Sequence, residues 1–151
     1  MSRAARISIH MILIPIMLSL AAIVGWTAGD YHWPYVVDSI EVEPDPVYAG
    51  ATLKIVSVRQ FLDDCDLEFE RQLESVEHRN MPPVILADER SRTPWRFNGK
   101  PQPIFVAIPS DFPCGAAQIR TSPSASCNWL QKGWLRQTKA DVITPFDVAC
   151  R

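Results

Sequence analysis

The chain has 151 residues, 47% of them hydrophobic and 21% charged, with 15 basic against 17 acidic side chains. A formal charge of −2 excludes a nucleic-acid binder of the electrostatic kind, which needs a strong basic surplus. Thirteen prolines, twelve of them beyond residue 30, argue against a mainly helical domain.

The first predicted element is apolar and helical. Between Ile7 and Trp26 there is no Asp, Glu, Lys or Arg. Twenty residues of helix at ~1.5 Å each span ~30 Å, the thickness of a bilayer's hydrocarbon core. His10 lies within headgroup reach, and Pro15 is a kink that membrane helices tolerate. Arg3 and Arg6 precede the run, and the next basic residue is Lys54. Asp30, Asp38, Glu41, Glu43 and Asp45 fill the interval. That asymmetry predicts a cytoplasmic N-terminus over 1–6, a transmembrane helix over 7–26 with the lipid bilayer as its partner, a juxtamembrane linker over 27–35, and an exported domain over 36–151. Trp26, Tyr31, Trp33 and Tyr35 suit the outer interface, where amphipathic rings settle. The rival reading is a signal peptide cleaved after Thr27-Ala28-Gly29, although the apolar run exceeds the ~7–15 residues of a signal core. Both readings export residues 30–151. With Arg3 and Arg6 set aside, 13 basic residues face 17 acidic ones there, a formal charge of −4.

The exported part is long enough for one domain with its own core. Residues 35–42 are β-branched with partial alternation and predict a first strand. Pro44, Pro46 and Gly50 mark a turn region over 44–50. In 51–61, Leu53, Ile55 and Ser57 face one way, and Lys54, Val56 and Val58 the other. The segment 63–73 alternates most cleanly, with Cys65, Leu67, Phe69, Arg71 and Leu73 on one parity. A short strand is predicted over 83–87, a long loop over 88–102, and an apolar strand over 103–109 bounded by prolines. A polar strand interrupted by Pro123 is predicted over 116–128, and a last strand over 142–150. About seven short strands with turns between them predict an all-β, immunoglobulin-like antiparallel β-sandwich.

All four cysteines, Cys65, Cys114, Cys127 and Cys150, lie in the exported part. An even count in an oxidising compartment predicts two disulfides, in one of three pairings. In an immunoglobulin-like arrangement the third and sixth strands are antiparallel neighbours, as are the sixth and seventh. That brings Cys65 to Cys127 and Cys114 to Cys150. The competing pair is Cys114 with Cys127, a hairpin staple. A straight strand between those two would hold them ~40 Å apart, against a disulfide reach of ~7 Å, so it requires a turn at Ser122-Pro123-Ser124.

The chain resembles a type of small protein encoded by tailed phages and bacteria, with one N-terminal membrane helix and an immunoglobulin-like domain. The resemblance rests on the Pro44 to Gly50 turn, the Arg59 to Cys65 segment, IPSDFPCGAAQIR at 108–120, Cys127-Asn128, Trp134, and DVITPFDV at 141–148. Typical members carry a more aromatic sixth strand. The resemblance implies a fold and a topology and no particular activity.

No CxxC and no Cys/His cluster is present, so zinc and thioredoxin-like chemistry fit poorly, and neither a metal nor a cofactor is expected. Asp63, Asp64 and Asp66 lack the glycine and the bidentate glutamate of a calcium loop and are expected to be solvated. His32 and His78 have no nearby nucleophile and no nucleophile elbow. The most distinctive surface segment holds Arg90, Arg92, Trp95, Arg96 and Phe97, a mixture suited to gripping an anionic or acidic partner. The bland alternative is that both rings cap the core while the arginines are solvated. CNWLQKGW at 127–134 is a second aromatic segment. The functional expectation is a membrane-tethered, non-catalytic module on the outer side of the cytoplasmic membrane, binding an envelope protein, with the host envelope as its target if the gene is a phage's. A small exported hydrolase is the alternative from another class. A holin-like pore fits less well, because one span carries a large domain.

Overall fold

The computed structural model of the chain describes residues 3–29 and 32–150. The chain is mostly β, with ten strands among the described residues. It begins with helix α1, Arg3–Gly29, which contains Pro15. Met11 to Ile14 are all exposed. Four consecutive residues cover the whole circumference of a helix, so α1 presents no single apolar stripe to the domain. Among the described residues no helix is long and apolar enough to cross a membrane. The continuous run of described side chains in α1 is 11–26.

Two sheets follow. The first holds β1 (Tyr35–Glu43), β3 (Thr52–Phe61) and β7 (Pro101–Ala107), in the order β1-β3-β7 and antiparallel throughout. The second runs β2 (Val47–Tyr48), β10 (Val142–Ala149), β8 (Gly115–Ser126), β4 (Asp66–Ser75), β5 (Val84–Ile85). To it are added β6 (Glu89–Arg92) on β4 and β9 (Gln137–Thr138) on β8. Only the short β2 runs parallel to its neighbour, β10. The sheets share one core. Leu53, Ile55 and Val106 from the first meet Leu73, Ile119 and Phe146 from the second. Each such side chain contributes roughly 1.5–3 kcal/mol by leaving water.

A second cluster closes one end. Tyr35, Phe61, Leu67 and Phe69 surround Cys65, with Trp33 and Cys127 packed against them. This corrects the expectation that Trp33 and Tyr35 sit at a membrane interface. Tyr35 is buried among aromatic edges, its ring 6.1 Å from Phe61 and 6.0 Å from Phe69. Their apolar area is better hidden in the core than in a headgroup layer. Trp26 is exposed, and Tyr31 lies outside the described residues.

The disulfides sit where the registers lead. Asp66 is opposite Ser126 on β4 and β8, so the next pair outward is Cys65 and Cys127. These are bonded, with Cα atoms 4.1 Å apart. Gly115 is opposite Val148 on β8 and β10, and Cys114 is bonded to Cys150 just beyond. β8 runs unbroken through Pro123. The Pro123 carbonyl accepts from the Lys139 N–H. Its missing donor therefore faces the gap between β9 and β10, and the ladder to β4 loses nothing.

Residues 88–102 are more ordered than a loop. They contain β6, a 3-10 turn at Trp95–Phe97, and the start of β7. β6 carries no apolar stripe because it is a polar edge strand held by β4. Just beyond β7, the Ile108 N–H donates to the Ala51 carbonyl. With the register unshifted, Gln102, Ile104 and Val106 also turn their backbone groups toward β3. Pro101 and Pro103 occupy the alternate positions. The turn region 44–50 contributes β2, and both of its X–Pro bonds are cis.

The outer face of β4 and β8 carries a cross-strand cluster. Arg120 donates to Glu74 at 2.9 Å and reaches Asp141 at 3.4 Å, and Gln118 donates to Glu74 at 2.7 Å. The Arg120 hydrogen bond, then that of Gln118, holds the Glu74 carboxyl below its ordinary value. A depressed carboxyl stabilises the fold above the unfolded value, ~4.3, and that stability is lost as pH falls through the folded value. Glu74→Gln is therefore expected to flatten the acid limb of the melting temperature against pH. An unchanged acid limb would show that other carboxylates carry it.

Candidate interaction surface

β6 lies against β4 with Asp66 opposite Arg92 and Glu68 opposite Arg90. The cations and carboxylates of this face are matched. Arg92 clasps Asp64, its Nε 2.9 and 3.0 Å from the two carboxylate oxygens. That hydrogen bonding pulls the Asp64 carboxyl below its ordinary value and raises the guanidinium of Arg92. The Glu68 side chain is only 6% exposed, and Arg90 and Arg136 take its two oxygens. Lys132 meets Asp66. Asp63 faces His32 at 3.5 Å. Asp64 and Asp66 are thus partnered by cations and Asp63 lies beside His32, and no metal-binding group of three ligands occurs among the described residues.

The loop beyond β6 is pinned beside the disulfide. Thr93 donates its N–H to the Cys65 carbonyl at 2.9 Å, and its Oγ1 accepts from the Cys65 N–H at 2.8 Å. Asn98 Oδ1 accepts from the Phe61 N–H at 2.7 Å. Between these anchors, Trp95 presents its edge to Phe61 with ring centres 6.4 Å apart and is 46% exposed. Arg96 is exposed and lies 4.7 Å over the Phe97 ring. Trp95, Arg96 and Phe97 therefore form one tip, whereas Arg90 and Arg92 sit on the strand leading to it, engaged by carboxylates. Among the described residues Arg96 has no ion pair.

Next to this face stands α2, Trp129–Gly133, a helix absent from the predicted elements. Its sequence signal is Asn128, whose side chain caps the helix by accepting from the Gln131 N–H at 2.9 Å. Gln131 is buried, and its Oε1 accepts from the Cys127 N–H at 2.7 Å. The cap leaves Trp129 and Trp134 outside, 66% and 89% exposed. His78 lies elsewhere, in a turn whose Ser75 hydroxyl accepts from the His78 N–H.

Between the sheets lies a feature that no predicted site included. Arg59 on β3 and Arg71 on β4 both point inward and are buried. Arg71 meets Glu89 at 2.6 Å. Arg59 has no carboxylate partner among the described residues. Its guanidinium stacks 4.6 Å over Phe69 and 5.7 Å from the Tyr35 ring centre. Burial pushes Arg59 below its ordinary value, with the Tyr35 phenol opposing and Arg71 reinforcing. Two cation–π contacts supply roughly 0.5–2 kcal/mol each, while burying an ion costs several kcal/mol. The aromatic contacts alone do not balance the burial. A cleft of ≈ 40 Å³ adjoins both arginines and is also lined by Ser57, Thr121 and Thr144. The buried Ser57 hydroxyl has no hydrogen-bond partner among the described residues.

Fold and surface together define a class: a mostly β, two-sheet domain with two disulfides, a matched ion-pair ladder and an aromatic, cationic tip, preceded by an apolar helix. No protein-family model matches the chain, and no curated protein matches it. The crystal structure of Spo0M, a sporulation control protein from Bacillus subtilis, is similar at a TM-score of 0.43 and 11% identity. The match covers 80% of this chain and 51% of that one, so this chain spans about half its length. The C-terminal domain of wzt is similar at a TM-score of 0.49 and 11% identity, covering 80% of this chain and 76% of that domain.

Proposed function

We propose that this protein is a membrane-tethered, non-catalytic interaction module with an immunoglobulin-like domain on the outer side of the cytoplasmic membrane. The observation that carries the reading is α1, whose exposed apolar side chains surround the helix from Met11 to Trp26. A helix apolar all round belongs in a core or a membrane. The one polar side chain in its middle is satisfied internally, as Ser19 donates to the Pro15 carbonyl at 2.8 Å. The sequence before and after adds the positive-inside asymmetry of Arg3 and Arg6. Two disulfides suit an oxidising compartment. The immunoglobulin-like assignment is supported by the strand order. β1, β3 and β7 stand as A, B and E, and β4, β8 and β10 as C, F and G.

The partner-facing part is the Trp95–Phe97 tip, where a half-exposed Trp lies with Arg96, which has no carboxylate partner among the described residues. Arg90 and Arg92 serve chiefly as counterions. Photocrosslinking in membranes tests the reading. Full-length protein is expected to stay with membranes in high salt and to crosslink a specific envelope protein. Trp95→Ala with Arg96→Ala is expected to lower that crosslink tenfold or more at unchanged melting temperature. Recovery of the protein in the soluble fraction would remove the tether, and equal crosslinking by the variant would remove the tip.

A further inference from the structure

We propose that the cleft between the sheets is a binding site for a small monovalent anion, a halide or a short carboxylate, with Arg59 as its principal ligand. Charge is the first argument. Two buried guanidinium groups face this space and share one carboxylate, Glu89, which is ion-paired with Arg71 and reaches Arg59 only at longer range. An arginine does not shed its proton in a protein, so one positive charge is left to be met. The second argument is an unused donor. Ser57 is buried beside Arg59 with a hydroxyl that bonds nothing among the described residues, whereas buried hydroxyls are ordinarily satisfied.

Size sets the class of ligand. The cleft measures ≈ 40 Å³, while a single water needs only ~10–15 Å³ of such space. The room suits an ion of a few atoms and excludes a nucleotide or a peptide. The surplus charge of one favours a monoanion over sulfate or phosphate. Val37 and Ile40 form part of the wall and are themselves exposed, which gives the ion a way in from solvent. Phe69 and Ile55 line the interior. An apolar wall strengthens the pull of Arg59 on an ion by excluding water. The site is distinct from the Trp95–Phe97 tip and does not depend on what that tip binds.

The test uses full-length protein in chloride-free buffer, with ionic strength held constant by gluconate. Bromide or formate replaces gluconate stepwise while unfolding is followed by tryptophan fluorescence. The expected result is a rise in melting temperature that grows with the logarithm of anion concentration above Kd, on the order of 10 °C at a hundredfold excess over Kd. Arg59→Met is expected to abolish the rise. A wild-type midpoint that stays flat, or an equal rise in Arg59→Met, would overturn the site. Should Arg59→Met fail to fold, wild-type crystals soaked in bromide decide. An anomalous peak beside Arg59 supports the proposal, and a cleft holding water only refutes it.

Discussion

Replacing Cys65 and Cys127 with Ala is expected to cost about 4 kcal/mol of stability. The bond joins residues 62 apart, and closing a loop of that length removes about that much free energy's worth of disorder from the unfolded chain. The 36-residue separation of Cys114 and Cys150 gives nearly the same value, because the cost grows only with the logarithm of length. A domain of this size has ~5–15 kcal/mol in all. Loss of both bonds therefore takes most of it. Protein made in a reducing cytoplasm is expected to be largely unfolded and to recover on oxidising export. Denaturant titration of the single-bond variants measures the cost directly. A loss under about 1 kcal/mol for the Cys65 variant would mean that the β4–β8 ladder holds that end unaided. Peptide mapping without reduction checks the connectivity independently.

Removing Arg90 and Arg136 together is expected to destabilise the domain by about 3 kcal/mol or more. The reason is what they leave behind. Glu68, only 6% exposed beneath the two arginines, loses both counterions, and breaking a buried pair by removing one side costs roughly 3–5 kcal/mol. Adding Glu68→Gln to the double variant removes the stranded charge and is expected to restore most of the loss. This reversal separates the two roles open to Arg90. A partner-binding arginine would lower crosslinking without changing stability, and Glu68→Gln would rescue nothing. Thermal unfolding of the double and triple variants gives the answer.

Much of this fold is written in the parity of its strands. Alternation in 63–73 marks Cys65, Leu67, Phe69, Arg71 and Leu73 as one side, and all five are buried, with Glu68 the one buried residue of the opposite parity. Carried two residues further, the pattern of Leu53, Ile55 and Ser57 also puts Arg59 inside. The residue type argues against that placement so strongly that the parity is easy to discount. β6 is illegible for another reason. Glu89-Arg90-Ser91-Arg92 has no apolar member, so only the carboxylates of β4, supplied from some twenty residues away, make it a strand. The same distance hides the surface chemistry. Interleaved arginines and rings read as a free cationic loop until Asp64 and Glu68 are brought up beside them. Pro123 misleads in the opposite sense, since a proline that looks like a break falls where the ladder requires no donor.

The prolines of β7 have a consequence for how copies of this protein meet one another. β7 closes the first sheet, and its far side carries no neighbouring strand among the described residues. The positions whose N–H groups would point that way include Pro101 and Pro103, which have none. A second β7 approaching this edge would find acceptors without their matching donors at two successive positions before an exposed Phe105. Edge-to-edge growth into a ribbon is thereby blocked at the backbone, before any side chain is consulted. Replacing both prolines would leave the fold's interior untouched and remove the obstacle to polymerisation.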